Sequence, residues 1–117
     1  MILSIALASV VALVFAVLGV AKILAVPRMR EMAAHAGFSV AAYRRIGVLE
    51  VAGAIGVALG PIVRLFGGLA GAGLLLLLAG ALTTHARNHD TARAVIPAVV
   101  CTLLVAGYLA ALFAGGR

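Results

Sequence analysis

The chain has 117 residues, of which 66% are hydrophobic and 10% charged, and its formal net charge is +6. Soluble domains carry roughly 45–50% apolar and about 25% charged residues, so this composition excludes an ordinary water-soluble domain and fits a protein whose solvent is lipid. The basic residues lie between apolar runs, as they do at an anionic membrane face, which argues against nucleic acid as a partner.

The first apolar run extends over residues 2–26. Residues 2–21 carry no charge, and the run is too long for the h-region of a secretory signal, so a retained membrane span is expected. Lys22 stands near its end and Pro27 closes it. The stretch from Pro27 to Arg45 holds Arg28, Arg30, Glu31, His35, Arg44 and Arg45. Within it, residues 29–36 are expected to form a short interfacial helix, ended by Gly37 in a left-handed cap.

The second run, residues 46–63, has Glu50 in its first turns and ends at Pro61 and Arg64. The third, residues 65–86, follows after a few residues, which makes the two an antiparallel hairpin. A polar turn over residues 85–93 contains His85, Arg87, Asn88, His89, Asp90 and Arg93. The fourth run, residues 94–114, has Pro97 in its expected first turn, where proline is tolerated. Membrane strands would alternate apolar and polar residues. These runs are apolar on all sides and in lipid must satisfy their backbone internally, as helices. The expected fold is all-α, one transmembrane domain over residues 1–117 built as a four-helix bundle.

Gly56 with Gly60, and Gly67 with Gly71, have the four-residue spacing that lets membrane helices approach closely. They support a compact bundle and leave a homo-oligomer open. The segments 27–45 and 85–93 contain Arg28, Arg30, Arg44, Arg45, Arg87 and Arg93, against Arg64 and Arg117 on the other side. The positive-inside rule therefore places both segments in the cytoplasm and the termini outward, in the cell membrane. The lone cysteine, Cys101, lies in an apolar run and reads as a small packing residue with no disulfide partner.

A charge in a membrane helix costs about 2.5–3.5 kcal/mol on insertion scales and calls for a partner. Lys22 lies about one turn before Pro27, and Glu50 about one turn after Arg45. At about 1.5 Å rise per residue both sit roughly 6 Å inside the same face, where an ion pair is natural. His85 ends the third run on that face, with Thr84 before it, and Tyr43, His35, His89 and Asp90 are expected to line the mouth. Gly19, Gly47 and Gly53 are expected to leave room for this layer. Lys22 snorkelling alone, His85 as a plain interfacial residue, and a Lys22–Glu50 pair that only sets helix register are the competing structural readings. His85 and His89 have the i, i+4 spacing of a helical metal pair, but no further ligands are evident and no metal is expected.

Three pieces of sequence match a known family: "GVAK" (Gly19 to Lys22), "RIGVLEVAGAIGVAL" (Arg45 to Leu59) and "AGALTTHARNHD" (Ala79 to Asp90). With its G-x-x-E-x-x-G pattern at Gly47, Glu50 and Gly53, the chain resembles the DoxX-like family of small bacterial membrane proteins. The resemblance implies a four-helix membrane bundle with recurrent polar positions at Lys22, Glu50 and His85. The family is named for a small subunit of an archaeal thiosulfate:quinone oxidoreductase, and some relatives associate with redox or stress-response enzymes. It therefore implies fold and location more firmly than activity.

The expected function is an accessory subunit of a membrane redox system. It would offer a polar site to a lipophilic small molecule such as a quinone, or to a membrane or cytoplasmic redox partner. The residues show no complete catalytic constellation. A scaffold or assembly factor with a structural Lys–Glu pair is the alternative. A transporter or channel ranks last, because polar residues occur at one depth only.

Overall fold

A computed structural model describes residues 1–114. Among these residues there are five helices and no strand: α1 Ile2–Ile23, α2 Pro27–Ala36, α3 Val40–Leu59, α4 Arg64–Arg87 and α5 Ala92–Ala114. Arg117, counted above for orientation, lies outside the described residues.

The helix ends follow local chemistry. Leu24 continues the right-handed turn beyond α1, and Ala25 then turns left-handed at φ 53°. That conformation costs a non-glycine residue roughly 1–3 kcal/mol. Pro27 opens α2, where its missing N–H costs nothing. Gly37 ends α2 at φ 84°, the expected left-handed cap. The Ser39 hydroxyl then accepts from the Ala42 backbone N–H at 3.0 Å. This N-cap starts α3 six residues before the expected boundary at 46. Thr91 caps α5 in the same way, accepting from the Ala94 N–H at 3.3 Å. Because α5 starts at Ala92, Pro97 falls inside the helix rather than in its first turn.

The four long helices close a ring in which α1 and α4 each pack against both α3 and α5, while α2 lies against α3. Three of them, α1, α4 and α5, are long and apolar enough to cross a membrane. α3 has 20 residues but carries Arg44, Arg45 and Glu50. The interior holds Val11, Phe15, Val57, Leu74, Val105 and Tyr108, all at most 2% exposed. Large apolar side chains such as Leu13, Val17, Leu69, Leu76 and Leu103 face outward. In water such a surface would drive association; in lipid it is the ordinary contact surface.

Small residues set the helix spacing. A Cβ on Gly19 would lie 2.7 Å from the Gly47 carbonyl oxygen, and one on Gly47 would lie 2.6 Å from the Gly19 carbonyl oxygen. The backbones of α1 and α3 therefore touch at this crossing. Gly56 packs on Ala70, and Gly60 on Gly67, bringing α3 against α4; Gly71 receives Leu109 of α5. The sequence placed Gly19, Gly47 and Gly53 as spacers that leave room for a polar layer. They leave none: the first two are filled by each other's backbone and Gly53 by Leu74.

One buried hydrogen bond ties the ring at its other end. Pro61 has no N–H to give the Val57 carbonyl four residues earlier. That oxygen accepts instead from the Tyr108 hydroxyl at 2.9 Å, alongside the Gly60 N–H three residues on at 3.1 Å. The proline that ends α3 thereby creates the acceptor that fixes α5.

Gly19→Ala is expected to destabilise the protein by about 1–3 kcal/mol, because the atom it meets is backbone and cannot yield. A Cβ on Gly80 would meet nothing within 4 Å. Gly80→Ala is therefore expected to be neutral or stabilising by up to about 1 kcal/mol. Reversible unfolding of both variants in mixed micelles would measure the contrast; equal losses would show that the α1–α3 contact is not a tight one.

Candidate functional site

The polar centre is built at the end of α1. Lys22 and Glu50 are 8% and 6% exposed, and Lys22 Nζ donates to Glu50 Oε1 at 2.8 Å. Lys22 lies one turn beyond Gly19, and Glu50 one turn beyond Gly47. The glycine crossing brings the helix axes close, so the two side chains meet across a short gap instead of reaching outward. Lys22 does not snorkel. The ammonium also lies 5.2 Å from the centroid of the Tyr43 ring, within range of a cation–π attraction. Phe38 stacks on Tyr43 at 6.2 Å between centroids.

Lys22 is enclosed by Ala25, Met29, Arg30, Ala33, Val40 and Tyr43, which leave no space for a water molecule. Met29 and Ala33 are the inward residues of α2, so the short helix roofs the ion pair. Arg30 Nε donates to the Ala25 carbonyl at 2.9 Å and braces the left-handed turn into that roof. The pair has hydrogen-bonding capacity to spare. An ammonium has three N–H donors and a carboxylate two acceptor oxygens; one donor and one oxygen are engaged with each other.

His85 is not brought to this pair. Its Nδ1 lies 2.7 Å from Asp90 Oδ2, and His35 Nε2 lies 2.7 Å from Asp90 Oδ1. An ionised carboxylate only accepts, so the shared protons sit on Nδ1 of His85 and Nε2 of His35. Asn88 Nδ2 adds a bond to the His35 carbonyl at 3.1 Å. The second cluster therefore joins the end of α2 to the turn between α4 and α5. Thr84 turns its hydroxyl back to the Gly80 carbonyl at 2.9 Å and joins neither cluster. His89 lies beyond the end of α4 at φ 53° and is exposed, so its spacing from His85 does not become a helical pair. Among the described residues no group of three or more His, Cys, Asp or Glu is arranged to hold a metal ion. Cys101 is half-buried at the edge of the core and free.

The sequence pattern of one family covers residues 6–107. The chain belongs to the DoxX-like family. A comparison with curated proteins returned no match, and neither did one with solved structures. Family membership and the three apolar helices together make this DoxX-like chain a small membrane protein in contact with the lipid bilayer. Of the three polar positions that the resemblance implied, Lys22 and Glu50 form the buried pair, whereas His85 lies in the separate clamp. Tyr43 and His35 lie in the stretch before residue 45, between two of the matching pieces. Tyr43 stands seven residues before Glu50 in α3, about two helical turns, and that spacing along one helix was its sequence signal.

Hydrogen bonds from His35 and then His85 hold the Asp90 carboxyl below its ordinary value of 3.8. A carboxyl depressed in the folded state stabilises the fold above its unfolded value and loses that contribution as the pH falls through its folded value. The clamp is therefore expected to persist from neutral pH down to about pH 4 and to release only below it. Titration of the Asp90 carboxyl carbon by NMR should give a midpoint below 3.8, moving upward in His35→Ala. A midpoint at or above the ordinary value in the unaltered protein would mean that the clamp is not formed in solution.

Proposed function

We propose that this DoxX-like protein is a single-domain, four-span accessory subunit of a bacterial cell membrane redox system. In this reading the Lys22–Glu50 pair offers a polar site to the head group of a lipophilic ligand such as a quinone. α3 serves as the fourth crossing. Its 20 residues reach about 30 Å at 1.5 Å per residue; Arg44 and Arg45 lie exposed at its polar end, and the charge of Glu50 is met by Lys22. With four crossings the two termini share one side. The six arginines Arg28, Arg30, Arg44, Arg45, Arg87 and Arg93 support a cytoplasmic side for that end of the bundle by the positive-inside rule.

The observation that carries the reading is a buried, partly engaged ion pair with an aromatic ring beside it. A quinone carbonyl accepts hydrogen bonds, which Lys22 has in reserve, and a quinol hydroxyl donates one, which the free Glu50 oxygen accepts. Tyr43 and Phe38 are the apolar surfaces against which a planar ring would lie. Glu50 is then the group that moves a proton at the ligand oxygen, and Lys22 sets its charge.

The test is a titration of the protein in lipid nanodiscs with a short-chain quinone, followed by isotope-edited infrared spectroscopy of the Glu50 carboxylate. Binding is expected to shift that band, and Lys22→Met to weaken binding at least tenfold. An unchanged carboxylate band at saturating quinone would rule out the head-group site.

A second reading has its own support. The space around Lys22 is filled and the glycine crossing is tight, as expected of a scaffold or assembly factor whose pair sets helix register. Removing one partner of a buried pair typically costs about 3–5 kcal/mol, because the other charge is stranded. Lys22→Met alone is expected to lose about that much, and the exchange of both residues, Lys22→Glu with Glu50→Lys, to recover most of it. Recovery of stability together with every cellular phenotype favours the scaffold. Recovery of stability without quinone binding favours the site.

A further inference from the structure

The Lys22–Glu50 pair has a roof, and the roof is held by a separate device. α2 spans ten residues and packs chiefly against α3, the lightest contact among the packed helices. Its inward side chains, Met29 and Ala33, are 7% and 1% exposed and lie over Lys22. Both of its connections are left-handed joints, Ala25 at φ 53° and Gly37 at φ 84°. Such sharp joints confine rotation to a few element-terminal residues, as hinges do.

The end of α2 also reaches beyond its packing partner α3. His35 reaches across to Asp90, 55 residues away in sequence, at 2.7 Å. Asn88 bonds the His35 carbonyl at 3.1 Å. On the receiving side the geometry is fixed. His89 turns left-handed at φ 53°, so the Asp90 backbone N–H donates back to the His85 carbonyl at 3.0 Å and the Asp90 side chain faces His85. Exposure divides the cluster into two halves. The Asp90 and His85 side chains are 8% and 27% exposed, whereas that of His35 is 66% exposed. Asp90 is thus anchored on the end of α4, and the bond to α2 is the half that water reaches. The charged groups nearby in sequence, Arg28, Arg30, Glu31, Arg44, Arg45, Arg87 and Arg93, form no ion pair with Asp90.

We propose that α2 is a lid over the Lys22–Glu50 pair and that Asp90, anchored by His85, is the latch that receives His35. The regulatory meaning of the lid rests on the pair being a ligand site; the motion itself does not. With the latch made, Lys22 is sealed from the aqueous face. With it broken, α2 swings on Ala25 and Gly37, and the face carrying Met29 opens to the polar side of the membrane.

The motion is read without any ligand. Cys101 is the only cysteine, so full-length protein carrying Cys101→Ser and Met29→Cys in nanodiscs reports the opening of α2 by its rate of reaction with a membrane-impermeant maleimide. Met29→Cys replaces a large flexible side chain by a smaller one and adds no crowding. Asp90→Ala and His35→Ala are each expected to raise the rate at least tenfold. His89→Asn, which keeps the left-handed turn but lies outside the clamp, is expected to leave it unchanged. Equal rates with and without the latch would overturn the proposal. So would a parallel rise in labelling at Ala54→Cys, inside the bundle, since that would mean general loosening. A null quinone titration beside a latch-dependent rate removes the ligand reading and keeps the lid. The converse result keeps the site and removes the lid.

Discussion

Lys22 and Glu50 can share the interior of this bundle because Gly19 and Gly47 let the backbones of α1 and α3 touch. Each charge alone would be costly inside a membrane helix. A methyl group at either glycine would separate the helices at the level where the two charges must meet. The same crossing brings the start of α3 under the end of α1, so that Tyr43 reaches the ammonium and α2 folds down over both. Much of the polar architecture follows from one contact without side chains.

The opposite end is organised by a different economy. Pro61 ends α3 and leaves a carbonyl without its usual donor, and Tyr108 supplies one from α5. Small residues again permit the approach, with Gly60 and Gly67 giving room for the tyrosine between α3 and α4. The ring of helices is thus pinned at two depths, by an ion pair at one end and a neutral hydrogen bond at the other. Between them lies an apolar interior that gives no direction of its own.

The two polar clusters near the α2 end differ in kind. Lys22–Glu50 is enclosed and charged, where a low dielectric makes partnership obligatory. His35–Asp90–His85 lies at the turn between α4 and α5, where its bonds compete with water. A buried charge and an exposed fastening joined by one short helix make a natural arrangement for access that can be opened and closed. The arrangement needs no cavity in the closed state, which is consistent with the filled space around Lys22.

Composition and spacing made much of this molecule legible. The excess of apolar residues pointed to helices in lipid, and Pro27, Gly37, Pro61 and the polar turn marked where the chain breaks. Counting residues from those breaks placed Lys22 and Glu50 at matching depth, because a helix advances by a constant rise per residue. The same count brought His85 to the correct end, but its partner is Asp90 and not the buried pair. The start of α3, the contact of Gly19 with Gly47, the approach of Tyr43 and the reach of His35 to Asp90 were decided by the folded chain. The reason is rotational. Depth along a helix can be read from sequence, but a helix apolar on every side carries no signal for which way it faces. Only packing against its neighbours settles that, and the clusters of this protein lie where four such rotations agree.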